Sequence, residues 1–412
     1  MGFFGFILCG CVICLSALVA QDDVLPSLEK QDIEALRAWV KEKKQQVTVQ
    51  DRGGKLSIGG EVRVELQSTN EKKNGIKQRG SGGAVDNVAM RAWDIEVNLM
   101  LDYRTDRTWT TVKLEFDNNA GTVSGTFNRL SLERALFGAR IVNGDTYNMD
   151  LVIGRRLFAY TFDSKIEFGS FMDGILYLYD QALDDVGDLY FHGGPFLVDE
   201  TLDHYGYVGE IGLLSIGRTG LYSKLSYINW DTKNTGNEQR DLAFKFQNIQ
   251  LLLGYKCEPK WIGKTTTLYA AGLVNAAAGR PKVIGLTSKQ NLAWYAGFSI
   301  GTLRKQWDWS CDINYQWVQL QAVPDFDGLG IGRGNAAGIG LYSTRSKGLG
   351  NPIGPNTGVG RSNYKGISIE FLLNLTNNIT LYQSWNQSVN QNPSILPTFS
   401  YKQYEVEIIY TF

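Results

Sequence analysis

Histidine is almost missing from this chain of 412 residues. Only His192 and His204 occur, so imidazole-based metal sites and catalytic centres have little to draw on. Cysteine is scarce as well. Of the five, Cys9, Cys11 and Cys14 crowd the first twenty residues, which leaves Cys257 and Cys311, and no spacing among them would hold zinc. The net charge is −1, which removes the electrostatic basis for a nucleic-acid partner. Proline is rare, at 9 residues against 46 glycines, 20 tyrosines and 19 phenylalanines, and that balance suits long strands and tight turns. Beyond residue 20 no apolar run approaches the roughly 20 residues a helix needs to cross a bilayer. Any crossing is therefore left to strands.

The first segment, Met1 to Ala20, carries no charge, ends in small residues and is followed by Gln21-Asp22-Asp23. It reads as a cleaved secretory signal in preference to a membrane helix of the same length, although it lacks an early Lys or Arg and has Leu18 where a smaller residue is usual. Residues 21–54 form the one helical stretch. Pro26-Ser27 start it, Ile33, Leu36 and Val40 with Ala35 and Trp39 make a narrow stripe, and Gly53-Gly54 break it. Packing under the following domain and self-association or cell-wall contact are both open as its purpose.

From Lys55 onward the periodicity changes to two. Leu56, Ile58, Val62, Val64 and Leu66 alternate with Ser57, Glu61, Arg63 and Glu65; Trp93, Ile95, Val97, Leu99 and Leu101 alternate with Asp94, Glu96, Asn98 and Asp102. Trp307, Trp309, Cys311, Ile313, Tyr315 and Trp317 alternate with Asp308, Ser310, Asp312, Asn314 and Gln316. Charges repeated on one parity need water, and aromatic-ended apolar runs on the other need lipid. A water-filled lumen meets both demands. The expected fold is all-β, a transmembrane antiparallel β-barrel of about sixteen strands spanning 55–412, preceded by a short N-terminal helix. A bulge is expected near Arg134, where parity slips. The stretch from Phe171 to Ile216 alternates least cleanly, so fourteen or eighteen strands stay open. Short connections (Arg104–Arg107, Gly217–Thr219, Thr302–Lys305, Leu375–Asn377) take turns with long ones such as 67–87, 231–243 and 320–362. In this layout Cys257 and Cys311 lie three strands apart, beyond the reach of a disulfide at ~4.8 Å per strand. Cross-linking of either to another chain stays an alternative.

The chain closes on YKQYEVEIIYTF. Tyr404, Val406, Ile408, Tyr410 and Phe412 share one parity, with aromatics at both ends. Gln403, Glu405, Glu407, Ile409 and Thr411 share the other. The apolar set matches, position by position, the terminal strand of Gram-negative outer-membrane β-barrel proteins, which the barrel-assembly machinery reads. With the upstream pattern, the chain resembles the sixteen-stranded porins of that membrane. More narrowly it resembles the porin-type outer-membrane proteins of chlamydia-related bacteria, on Gly154-Arg155-Arg156, the run Asp163 to Phe168 and the helix before the first strand.

The resemblance implies a non-enzymatic channel for small hydrophilic solutes and ions, a homotrimer in outer-membrane lipid, and no cofactor. It makes residues 21–54 a periplasmic extension. It also implies a third extracellular loop folded into the lumen as a constriction. Here that loop is about 157–170, with Asp163, Lys165 and Glu167, facing a wall cluster of Arg63, Arg129 and Arg156; Lys165 departs from the purely acidic loop of the family. Inner-parity carboxylates outnumber bases, which suggests a weak cation preference unless cross-strand pairing cancels it. A solute-specific channel and a structural or adhesive surface barrel are the alternatives. Asp203-His204 reads as solvated loop surface and not as a catalytic dyad. The glycine-rich run 328–340, with Gly332-Arg333-Gly334, lacks the strand-then-helix setting of a dinucleotide loop and reads as exposed surface loop.

Overall fold

The computed structural model describes residues 54–84, 89–117, 129–199, 204–230, 245–279, 288–324, 327–334, 339–340, 358–359, 362–394 and 398–412. The expected signal and, Gly54 apart, the helical extension lie outside them. Alternating Val, Ile, Tyr and Thr with polar residues favours a pleated, two-faced sheet, and the chain forms one. The first strands are β1 (Lys55–Lys73), β2 (Arg91–Arg104), β3 (Thr108–Asp117) and β4 (Arg129–Asn143). Next come β5 (Tyr147–Leu157), β6 (Phe171–Leu183), β7 (Gly187–Asp199) and β8 (His204–Leu214). Then follow β9 (Leu221–Asn229), β10 (Gln247–Cys257), β11 (Thr266–Asn275) and β12 (Leu292–Ile300). Last are β13 (Trp309–Val318), β14 (Tyr364–Asn374), β15 (Ile379–Asn390) and β16 (Phe399–Thr411).

Each strand pairs antiparallel with its neighbours in sequence, and β16 pairs back onto β1 from Glu61 opposite Thr411 to Lys73 opposite Phe399. The sheet counts seventeen members, of which one is the two-residue Ile76–Lys77, so the closed barrel has sixteen strands. All sixteen coincide with expected segments, including the irregular stretch from β6 to β8. The expected bulge is present: Lys113 opposes Arg134, Leu114 opposes Leu132, and Glu133 is the extra residue. A second slip lies between Arg140 and Val142. His204 opens β8 and is not in a loop.

The connections sort onto two rims. One carries the short turns 105–107, 144–146, 184–186, 215–220, 258–265, 301–308 and 375–378. At Gly301 the turn needs glycine: φ is +81°, and a Cβ would sit 2.2 Å from the Trp309 carbonyl oxygen. The other rim carries the long loops, with two exceptions, the short link between β7 and β8 (200–203) and the link between β15 and β16 (391–398), which is no longer than 258–265.

The two faces differ as the pattern requires. Outward positions are apolar and exposed. Leu251, Leu253, Leu268 and Trp294 stand on three adjacent strands and are each 42–53% exposed. A belt of this kind round the whole barrel is far more apolar surface than a soluble monomer shows, and hydrocarbon is its natural surround. Cys257 and Cys311 are both free thiols. Replacing Leu251, mid-strand on this outer face, by Arg is expected to lower barrel stability by about 2–4 kcal/mol. Denaturant unfolding in lipid vesicles would measure it; an unchanged midpoint would contradict a lipid-facing position.

Candidate functional site: the barrel lumen

The loop between β5 and β6 (158–170) folds into the barrel. Its first turn starts with Phe158, which is fully buried. The Phe158 ring meets Phe196 on β7 at 4.9 Å and Trp230 at 5.8 Å, both edge-on, and packs with Phe162 and Phe168 of the same loop. Around them lie Leu136, Val152, Met172, Leu176, Val208 and Ile228 from the inner faces of β4 to β9. Burying an aromatic side chain is worth about 1.5–3 kcal/mol, and several edge-to-face pairs add to that. The loop is therefore anchored inside the lumen by a hydrophobic cluster.

Past the cluster the loop is held by polar contacts with the wall. Lys224 on β9 donates to the Asp163 carboxylate at 2.6 Å, and the Asp163 N–H donates to Glu210 on β8 at 3.2 Å. The Ser164 hydroxyl donates to Gln250 on β10 at 2.8 Å, and Gln250 returns a bond to the Asp163 carbonyl at 2.7 Å. Lys165 lies 3.2 Å from Asp312 on β13 and 5.4 Å from the centre of the Tyr269 ring. Asn248 on β10 donates to Glu167 at 2.9 Å. The three charges expected at the constriction are thus on the expected loop, and each is engaged by a wall residue of β8 to β13.

The wall arginines are dispersed. Arg63 on β1 stands among carboxylates, 2.6 Å from Glu61, 3.6 Å from Glu407 and 3.9 Å from Glu96. Arg129 on β4 is opposite Asp117 in register, and its side chain lies outside the described residues. Arg156 on β5 is opposite Met172, whose side chain is in the inner cluster, so it faces the lumen. Its neighbour Arg155 faces outward and forms a two-pronged bond to Asp173, at 2.7 and 2.6 Å. Arg134, a residue sequence reading passed over as a site, places its guanidinium 4.4 Å from the centre of the Tyr160 ring in the loop. The signal was available, because the bulge at Glu133 is what turns Arg134 inward.

A second loop also enters the lumen, contrary to the sequence expectation of an exposed surface segment after β13. Leu320, Ala322, Val323, Asp327 and Ile331 are buried. Of these, Ala322, Val323 and Ile331 share a cluster with Ile166 of the first loop and with Tyr295 and Tyr364 of the wall. The cause is composition: LQAV at 320–323 and the glycines from 328 onward combine apolar anchors with a backbone that can approach closely. Residues 335–338, 341–357 and 360–361 lie outside the described part.

The opposite wall is acidic. Across the middle of β16, β1, β2 and β3 the inner face carries Glu405, Glu407, Glu61, Glu65, Asp94, Glu96, Glu115 and Asp117 against Arg63 and Lys113. Lys113 is bonded to Glu133 across the bulge. Eight carboxyl groups against two bases make this half of the wall rich in acidic side chains.

Burial pushes two loop carboxyls up. Glu167 rises from its ordinary 4.5 to about 8 through desolvation, with Asp327 and Glu210 adding repulsion and Asn248 opposing. Asp327 rises from 3.8 to about 7, again through desolvation, opposed by hydrogen bonds from Phe168 and Ser170. Each packed group holds its proton more tightly than the free loop would. The packed loop is therefore most stable below about pH 4.5 and loses stability as pH rises towards 8, by roughly 3–5 kcal/mol for Glu167. The melting temperature of the folded barrel in detergent is expected to fall between pH 5 and 9, and Glu167→Gln should flatten that slope. Equal slopes for parent and variant would refute the assignment.

No protein-family model matches the sequence, and no curated protein matches it. Solved structures do match the fold. OmpF from Salmonella typhi, solved as a complex with daunomycin, is 13% identical over 88% of this chain and 99% of its own, with a TM-score of 0.50. OprB from Pseudomonas putida, in a high-pH structure, is 10% identical over 92% of this chain and 97% of its own, also at 0.50. The architecture is that of the sixteen-stranded outer-membrane porins of Gram-negative bacteria.

Proposed function

We propose that this chain is an outer-membrane porin that passes small hydrophilic solutes and ions by passive diffusion. One observation carries the reading: a closed barrel, apolar outside and charged inside, has its lumen narrowed by loops packed on one half of the wall. Such a body has no use for a catalytic group; its function follows from lumen width and charge placement. The acidic half-wall supports a cation preference. Asp163, Lys165, Arg63, Arg129 and Arg156 remain the lumen-lining set of the proposal, with Arg134 added; Glu167, expected among them, is buried against Asn248 and anchors the loop instead. The long-loop rim is then extracellular and the short-turn rim periplasmic.

Three further parts of the reading concern assembly. A homotrimer is proposed from the resemblance to porins, and the outward-facing Arg155–Asp173 ion pair near the long-loop rim offers a polar contact for a neighbouring subunit. The barrel-assembly machinery is proposed to read Tyr404, Val406, Ile408, Tyr410 and Phe412. The narrower likeness to the porin-type proteins of chlamydia-related bacteria rests on Gly154-Arg155-Arg156, the run 163–168 and the helical stretch before the first strand, which lies outside the described residues.

Reconstitution of the chain from residue 21 into a planar bilayer is expected to give steady steps on the nanosiemens scale. Reversal potentials in a salt gradient should favour cations, and the paired change Glu65→Gln with Asp94→Asn should move them towards zero. A silent bilayer with folded protein would sink the porin; an anion preference would sink the role given to the acidic wall. On an unheated gel the protein should run as a trimer, and deletion of Phe412 should reduce the folded amount formed without altering the conductance of the pores that do assemble. A monomer band alone, or undiminished assembly without Phe412, would count against these two assignments.

A further inference from the structure

We propose that Asp327 is the size-determining residue of the channel, latching the lumen loop 158–170 to the loop after β13 and so setting the free width of the lumen. The proposal rests on the porin reading and concerns which residue sets the aperture.

Where the first loop turns back towards β6 it presents three consecutive amides, and all three end on Asp327. The Phe168 N–H donates to Oδ2 at 3.1 Å and the Ser170 N–H to Oδ1 at 3.0 Å. Between them the Gly169 N–H donates to the Asp327 carbonyl at 2.9 Å. Asp327 is fully buried, some 157 to 159 residues away in sequence from the amides it holds. Convergent amides round a carboxylate make a strong, directional grip when water is excluded.

The backbone is shaped for this contact. Phe168 has φ of +74°, in the left-handed region that a bulky residue occupies only when its surroundings impose it. Gly169 comes so near Gly328 that a Cβ would stand 2.3 Å from the Gly328 carbonyl oxygen. A further rung, from the Leu329 N–H to the Ile166 carbonyl at 3.1 Å, ties the loops on the other side.

The wall contacts described above hold the outgoing limb of the loop, from Phe158 to Glu167. The return limb, 168–170, faces the second loop. Two backbone bonds tie it to the start of the outgoing limb, from the Phe158 N–H to the Ser170 carbonyl at 2.9 Å and from the Ala159 N–H to the Phe168 carbonyl at 3.0 Å, and the latch fixes its other side. Without Asp327 the three amides would take water, and the limb would relax into or away from the pathway.

The test compares the parent with Asp327→Asn, which keeps the shape but sets an NH2 donor against one of the two backbone N–H groups that donate to the carboxylate. A second variant, Gly169→Ala, leaves Asp327 intact and forces the loops apart. Unheated gels report whether the barrel has formed. Both variants are expected to raise single-channel conductance roughly one-and-a-half- to twofold, with noisier open levels, and to admit larger sugars in liposome swelling. Conductance and size limit equal to or below the parent's in both variants would overturn the proposal. So would failure of both to assemble, because Asp327 would then be a folding residue. A readout independent of conduction separates the two ideas: in detergent, protease should cut within 158–170 in Asp327→Asn and not in the parent. A silent parent would refute the porin, and this cleavage would still decide the latch, with equal resistance refuting it.

Discussion

The structure depends on one constraint, the closure of its backbone hydrogen-bond ladder. A sheet wrapped in hydrocarbon cannot leave a free edge, since each unsatisfied amide or carbonyl there costs several kcal/mol. The first and last strands meet for this reason. The Phe412 N–H donates to the Gly60 carbonyl at 2.9 Å, and the Gly60 N–H donates to the Phe412 carbonyl at 3.0 Å. Closure of an antiparallel sheet in sequence order brings the rest with it: an even strand count, loops on one rim and turns on the other, and one parity facing out along every strand. Bulges at Glu133 and near Ile141 are tolerated because the ladder resumes in register on either side.

Inside the barrel the demand is reversed. Water is available, but the loops that enter displace it, so their polar groups need partners. The first loop meets that need along its length, with Lys224, Gln250, Asn248 and Asp312 serving one side and Asp327 the other. The aromatic cluster under Phe158 makes the entry favourable despite the cost of ordering the loop. The result is a lumen of two unlike halves. One is filled and internally paired, and the other keeps a surplus of carboxylates next to the open pathway. The charge that faces the lumen is thus set by which side chains line it and not by the chain's net charge of −1.

Much of this was legible residue by residue. The period of two in strands such as Trp93 to Leu101 places side chains on alternate faces with no tertiary information, and Glu407 and Ile408 are assigned to water and lipid by that rule alone. The parity slip at Arg134 revealed the bulge. The inward course of the loop after β5 was implied by the resemblance to porins and not by its own letters. The partners of its charges were not legible. Asp163 meets Lys224, and Lys165 meets Asp312, across separations that no local pattern encodes. The inward course of residues 320–334 was also hidden, because a glycine-rich stretch with a few aliphatics reads equally well as exposed loop.

Facing and closure were thus written in local alternation and in the order of short and long links, since backbone geometry converts them directly into a barrel, while the count of sixteen was settled only by the pairing of the irregular strands β6 to β8. The lumen's inner form was decided by folding. Which loops enter, where Arg63 finds Glu61 and Glu407, and how Asp327 collects three amides depend on residues brought together only when the barrel closes. Long-range contacts have no period to read, and the physical reason is that their energies come from burial and charge pairing and not from backbone repeat.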